Sequence, residues 1–207
     1  EEIISSLVKA GLCLVYAGVE AGNEHIRNTV MERQQSLEKI YYTGNLFKKY
    51  GIKLITENVL GNPGETFEMV METLEVNMKL KPTYADASIF APYPGLKMTR
   101  YAIDNGYFDG NFDRLDATFF ESSVLKFNNE RDERKIYNLR CFFSLVPHHP
   151  WLMRFIKPLL NLPFKRLFWT IGNILDGYYM RKGLAYKQKP MEFITSVVHF
   201  LTSYRNS

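Results

Sequence analysis

Three times in its first hundred or so residues the chain repeats one pattern. A short apolar run is followed by a glycine-bearing loop and then by an amphipathic helix. The first run, residues 12–17, closes on Gly18. The second, residues 52–60, runs into Gly61-Asn62-Pro63-Gly64, and the third, residues 85–91, into Pro92-Tyr93-Pro94-Gly95. Between them, Ser36 is placed to cap a helix reaching about Tyr50, with Leu37, Ile40, Tyr41 and Phe47 on one face and Gly51 at its end. Thr66 is placed to cap another. Its Phe67, Val70, Met71, Leu74 and Met78 follow the i, i+3, i+4, i+7 rule, Glu65 and Glu68 suit its positive end, and Pro82 stops it. Apolar strands alternating with helices require a parallel sheet, because each crossover lays a helix on the sheet and buries both strand faces. Three such units are too few to close an eight-stranded barrel. The fold class expected is α/β, as an open layer or as part of a barrel.

After a short helix ending near Asn105-Gly106 the rhythm stops. Residues 107–130 read as a long surface loop, and residues 131–207 as a basic, aromatic, mostly helical extension. Asn129 is placed to start a helix with Ile136, Leu139, Phe143 and Val146 inward, and Pro147-His148-His149-Pro150 breaks it; a last short helix is expected over residues 191–204. The charge changes at the same point. Residues 1–130 hold 13 Lys and Arg against 18 Asp and Glu, whereas residues 131–207 hold 13 against 4. The basic part suits an anionic surface or an acidic neighbour. Cys13 and Cys141 are too few and too far apart for a zinc knuckle or a disulfide framework, which points to a reducing, cytoplasmic setting. No secretory leader is read at Glu1, the absence of Met there leaves room for a longer parent chain, and no run is long and apolar enough for a membrane span.

In parallel α/β folds, chemistry gathers beyond the C-terminal strand ends, and all three glycine-bearing loops lie there. Glu20, just after the first strand, offers a carboxylate to a ligand's hydroxyls, or else caps the helix near Asn23. Gly61-Asn62-Pro63-Gly64 lets a flat ligand meet the backbone, or else is a tight Pro-Gly turn; it is neither a Walker loop nor a dinucleotide fingerprint. Arg33 either pairs with a ligand carboxylate or is solvated. His148 and His149 are read as structural or solvated rather than as metal ligands, and no metalloprotease, hydrolase or Cys/His catalytic motif is found.

Taken together and in order, the loops are more specific. Residues 18–27 (GVEAGNEHIR) with Arg33, residues 58–66 (NVLGNPGET) and residues 88–95 (SIFAPYPG) resemble the fourth-, fifth- and sixth-strand motifs of radical S-adenosylmethionine (SAM) enzymes. The likeness is greatest to the cobalamin-binding subgroup and spans about residues 8–106. Ala21 and Asn62 depart from the usual pattern. The resemblance implies the C-terminal half of a partial (β/α)6 TIM-like barrel, residues 1–106. The CxxxCxxC loop that holds a 4Fe-4S cluster in this family is not in the sequence. It implies SAM as cofactor, the cluster and cobalamin outside this chain, the N-terminal half of the same enzyme as partner, and an unknown small-molecule substrate. Alone, the chain is expected to be inactive and poorly soluble. By the same resemblance, Glu20 would hold the ribose hydroxyls, Arg33 the carboxylate or ribose region, and the backbone at Leu60, Gly61, Phe90 and Ala91 the adenine. None would transfer protons, because the cluster performs the difficult chemistry. The contrasting expectation is a non-catalytic, membrane-surface or interaction protein. In it Trp151, Phe155, Phe164, Phe168 and Trp169, with Arg154, Lys157, Lys165 and Arg166, make peripheral membrane contact through residues 151–179. The plainer alternative packs these aromatics inward. Nucleic acid is not expected as a partner.

Overall fold

A computed structural model describes residues 1–115, 123–127, 129–184, 191, 192 and 195. A first helix α1 (Glu2–Lys9) leads into three parallel strands: β1 (Leu14–Glu20), β2 (Lys53–Leu60) and β3 (Tyr84–Ile89), ordered β1-β2-β3 in one open sheet. Helix α2 (Leu37–Lys49) makes the first crossover and α3 (Phe67–Leu80) the second. Ser36 and Thr66 cap them as the sequence requires, the two side chains accepting from the backbone N–H groups of Lys39 and Met69. Helix α3 ends with Lys81 in the left-handed region just before Pro82.

Several strand ends differ from expectation. β1 starts at Leu14 and runs through Gly18 to Glu20, so the first motif is partly strand. Between Gly18 and Glu20 the register with β2 slips, a bulge that puts Glu20 at φ 65°. β3 ends at Ile89, so Phe90 and Ala91 lie beyond the strand.

Alternation along β2 divides the sheet's faces. Leu60 packs with Val70 and Leu74 of α3, and Thr56 and Asn58 meet Asn77 there through hydrogen bonds. That polar seam is fully buried. Thr56 Oγ1 donates to Asn77 Oδ1 at 2.6 Å, Asn77 Nδ2 donates to Asn58 Oδ1 at 2.7 Å, and Asn58 Nδ2 donates to the Asp86 carbonyl at 2.7 Å. Ile55, one residue out of phase, packs instead with Tyr84 and with Tyr179 of the tail.

Helix α4 (Lys97–Asp104) follows β3, and the tail adds α5 (Glu130–Arg140), α6 (Met153–Leu159) and α7 (Lys165–Gly183). Asn129 caps α5, and Ile136, Leu139, Phe143 and Val146 are all buried. Within the segment read as a surface loop, the described residues form one short 3-10 turn (Phe112–Arg114), yet Phe108 and Leu125 are buried in a second small core with Phe90 and Ala102. Its described residues strap the strand ends, with the Phe127 ring on Gly61 and Ser123 Oγ donating to the Phe90 carbonyl. Helix α7 ends against the opposite sheet face: Lys53 Nζ donates to the carbonyls of Lys182 and Leu184, and Gly183 sits against Ile55. The short helix expected over 191–204 lies largely outside the described residues. Among the described residues no helix is long and apolar enough to cross a membrane.

Candidate functional site

The first motif is organised residue by residue. Gly18 has no side chain because the Glu20 carboxylate folds back over it: a Cβ there would lie 2.6 Å from Glu20 Oε1. Gly18 pairs with Glu57 and Ala17 with Thr56, whose side chain bonds Asn77 of α3, so the carboxylate over Gly18 lies on the face away from α3. Gly22 packs directly on the backbone of Glu72 and Thr73 in α3, where a Cβ would collide, and its N–H donates to Thr73 Oγ1 at 2.8 Å. Asn23, not Glu20, caps the next turn, accepting from Ile26 N–H at 3.2 Å, so the capping reading of Glu20 is excluded.

Glu20 instead pairs with Arg33, 2.7 Å from its Oε1, the arginine about half exposed and the carboxylate mostly covered. Burial raises the Glu20 carboxyl above the ordinary carboxylate range; Arg33 opposes that, and the nearby Glu57 carboxylate adds to it. The solvated reading of Arg33 therefore gives way to an ion pair at the end of β1.

Arg27 is a residue whose role the sequence did not disclose. It is almost wholly buried in a π-helical turn (Ile26–Val30). Its Nη1 donates to the carbonyls of Ala21 (3.0 Å) and Gly22 (2.8 Å), and its Nε to that of Gln35 (2.7 Å). One guanidinium thus ties the turn after Glu20 to the segment after Arg33. Its position inside the motif was the available signal; burial could not be read from a charged side chain.

At the second motif, Leu60 is buried under α3 and Gly61 adopts φ 70°. The Phe127 ring of the strap lies against Gly61, 3.1 Å from where a Cβ would be. Leu60 and Phe90 are joined directly, the Phe90 N–H donating to the Leu60 carbonyl at 2.9 Å. The Ala91 carbonyl accepts from Tyr93 N–H at 3.1 Å. Glu20 with Arg33, and Leu60 and Gly61 with Phe90 and Ala91, therefore form two local groups at the same C-terminal end of the sheet. No direct contact between the groups is seen among the described residues.

Glu65, next in the loop, is fully buried. Its Oε2 accepts from the Asn62 N–H (2.9 Å) and Asn62 Nδ2 (3.0 Å), whereas Oε1 has no hydrogen-bond partner. Burial pushes its carboxyl up to about 7. The departure at position 62 is thereby explained, because Asn62 holds Glu65 and also donates to the Val59 carbonyl at 2.8 Å.

A cavity of about 200 Å³ lies elsewhere, between α2 and the sheet, walled by Phe47, Leu54 and Leu80. It is a gap on the helix side that reaches the backbone of Gly18. His148 stacks flat on Tyr179, ring centroids 4.4 Å apart, and among the described residues no cluster of His, Cys, Asp and Glu could hold a metal ion.

Comparison with known proteins bears on this region. An uncharacterized methyltransferase of Pyrococcus horikoshii is 31% identical over 108 residues, 51% of this chain and 23% of that protein. The chain thus matches about a quarter of the length of that relative. Residues 1–76, the stretch from α1 into α3 that carries Glu20, Arg33, Leu60 and Gly61, match the family model of the radical SAM superfamily.

Proposed function

We propose that this chain is the SAM-binding part of a radical SAM enzyme, the C-terminal half of its barrel, working in cobalamin-dependent methyl transfer or related radical chemistry. The observation that carries the reading is the Glu20 carboxylate. It is held over side-chain-free Gly18, on the sheet face away from α3, at the C-terminal end of a parallel strand. A bulge with a non-glycine residue at positive φ is the kind of strained feature found at binding sites.

The residues present fit an adenosyl ligand. An ionised carboxylate accepts two hydroxyl donors, which suits a ribose diol, and Arg33 fixes that carboxylate while leaving half its own surface for a ligand carboxylate. On this reading the adenine would meet the backbone at Leu60, Gly61, Phe90 and Ala91, at the strand ends where the Phe127 ring covers Gly61. SAM, when bound to a reduced 4Fe-4S cluster, supplies a 5′-deoxyadenosyl radical or a methyl group. Everything this chain contributes is positioning: it holds the ribose, orients the carboxylate end and shields the base from water.

The sheet's edges support a partner half. β3's outer edge is closed by the chain itself, Arg140 Nε donating to the Ala87 carbonyl at 3.1 Å. Among the described residues β1 pairs with β2 alone, and Tyr16 beside its free edge is 52% exposed. A further parallel strand from the rest of the enzyme would complete that edge.

The test uses the whole enzyme, purified without oxygen and reduced with dithionite. Consumption of SAM, with 5′-deoxyadenosine or S-adenosylhomocysteine as product, is expected. Glu20→Ala should raise the SAM concentration needed by about tenfold or more, the loss of hydrogen bonds to a charged group. A whole protein that binds no iron and leaves SAM intact overturns the proposal.

A further inference from the structure

The tail helices are apolar on more faces than the core can use. In α6 and the turn before it, Ile156 and Leu160 are buried in the main core, as is Phe168 at the start of α7. Yet Trp151, Phe155, Phe164 and Leu167 are each more than half exposed, and Leu159 is exposed as well. Trp151, Phe155 and Leu159 recur every four residues, one stripe on one helical face. The inward-packing reading of these aromatics thus holds for Phe168, which meets Phe142 edge to face at 5.4 Å, and fails for Trp151, Phe155 and Phe164.

Along this stretch of sequence the charge has one sign, although Lys165 turns toward Glu133 and the Tyr137 ring of α5. From residue 150 to residue 170 the chain carries Arg154, Lys157, Lys165 and Arg166 and no carboxylate. The Arg154 guanidinium lies 4.5 Å from the Phe155 ring centroid and 6.0 Å from that of Trp151, so a cationic head sits directly on the exposed aromatic bodies. Outward tryptophan and phenylalanine with Arg154 and Lys157 on the same short helix have the composition of a segment that lies in a lipid headgroup layer. The ten residues from 150 to 159 reach roughly 15 Å, too short to cross a bilayer and enough to rest on one.

We propose that the corner formed by residues 150–167 is a docking surface for an anionic phospholipid membrane, with Trp151, Phe155 and Phe164 entering the headgroup layer and Arg154, Lys157 and Arg166 meeting lipid phosphates. The surface is separate from the strand-end site and does not depend on the proposed chemistry there. Its use is to hold the protein beside lipid-borne material.

Flotation of the full chain with vesicles tests it, because aggregated protein stays at the bottom of the gradient. Vesicles of phosphatidylcholine with about 30% phosphatidylglycerol should carry the protein up about tenfold better than pure phosphatidylcholine at low salt, and added salt should weaken this. The paired substitution Trp151→Ser with Phe155→Ser should abolish flotation, and Lys157→Glu with Arg166→Glu should do the same while the far-ultraviolet circular dichroism is unchanged. In a Trp169→Phe background, Trp151 emission should shift to the blue on adding the anionic vesicles. Absence of flotation at low salt overturns the proposal, as does flotation that neither pair of substitutions changes. A concentration-dependent dimer that the same substitutions abolish, with no lipid binding, assigns the face to a second copy and equally overturns it.

Discussion

The Glu20 carboxylate occupies the space where Gly18 would carry a side chain, its Oε1 2.6 Å from that missing Cβ. The two positions are thus one device: the glycine exists so that the glutamate can lie flat on the sheet face. Gly18→Ala should push the carboxylate off Arg33 at little cost to the fold, because the added Cβ meets only the flexible Glu20 side chain. On the proposed function, Gly18→Ala and Glu20→Ala should weaken SAM binding by the whole protein alike, and the double variant should be no worse than Glu20→Ala. Equilibrium binding of SAM to the three variants measures this. Losses that multiply in the double variant would show that Gly18 acts on something other than Glu20.

Much of this was legible in the chain, and the limits have physical causes. Ser36 and Thr66 announced two helix starts because capping is local, settled by three or four residues. The three strands were legible as apolar runs. The end of β1 was not, because Gly18 reads as a stop unless one knows that Glu20 lies over it. Arg27 was hidden for a related reason: a buried guanidinium is defined by carbonyls at residues 21, 22 and 35, which only the fold assembles. The packing of Phe108 and Leu125 escaped because they follow no period; they fit the contours of the strand ends rather than a helix or sheet.

Glu65 makes stability depend on pH in a direction unusual for a carboxylate. Its folded value of about 7 lies above the ordinary value of 4.5, so the native state keeps the proton that the unfolded chain releases first. The resulting stability is present below about 4.5 and is lost as pH rises through about 7, by roughly 3 kcal/mol in all. Asp176, pushed up to about 6 by burial despite Arg140, acts in the same direction over a lower range. Urea unfolding between pH 5 and pH 8.5 should show the decline. Glu65→Gln, whose amide oxygen can still accept from Asn62, should remove its upper part. A slope unchanged in that variant would place the titration elsewhere.

Arg140 links the tail to the sheet. Its Nη2 lies 3.0 Å from Asp176 Oδ2 in α7, while its Nε serves the Ala87 carbonyl at the edge of β3. Both partners are largely out of water, so removing only the cation strands a carboxylate and a backbone acceptor. Arg140→Met should cost about 3–5 kcal/mol. Adding Asp176→Asn should return a good part of that loss, because the uncompensated charge is then gone. Chemical denaturation of the two single variants and the double one gives the coupling energy, and simple additivity would refute the link.

Arg27 should behave as a positioning residue for the strand-end site. Its bonds to three backbone carbonyls hold the turn after Glu20 and the approach to Arg33, whose own N–H donates to the Arg27 carbonyl at 3.0 Å. A lysine has one compact donor group and cannot span the fork from Ala21 and Gly22 to Gln35. Arg27→Lys and Arg27→Met should therefore both destabilise the fold, by about 2–4 kcal/mol, with the lysine giving little rescue. On the proposed function both should also raise the KM for SAM of the whole protein more than they lower kcat, because Glu20 is displaced while the reacting groups are untouched. A Lys variant with full stability and unchanged KM would show that the charge alone matters and that the three-carbonyl grip does not set the site.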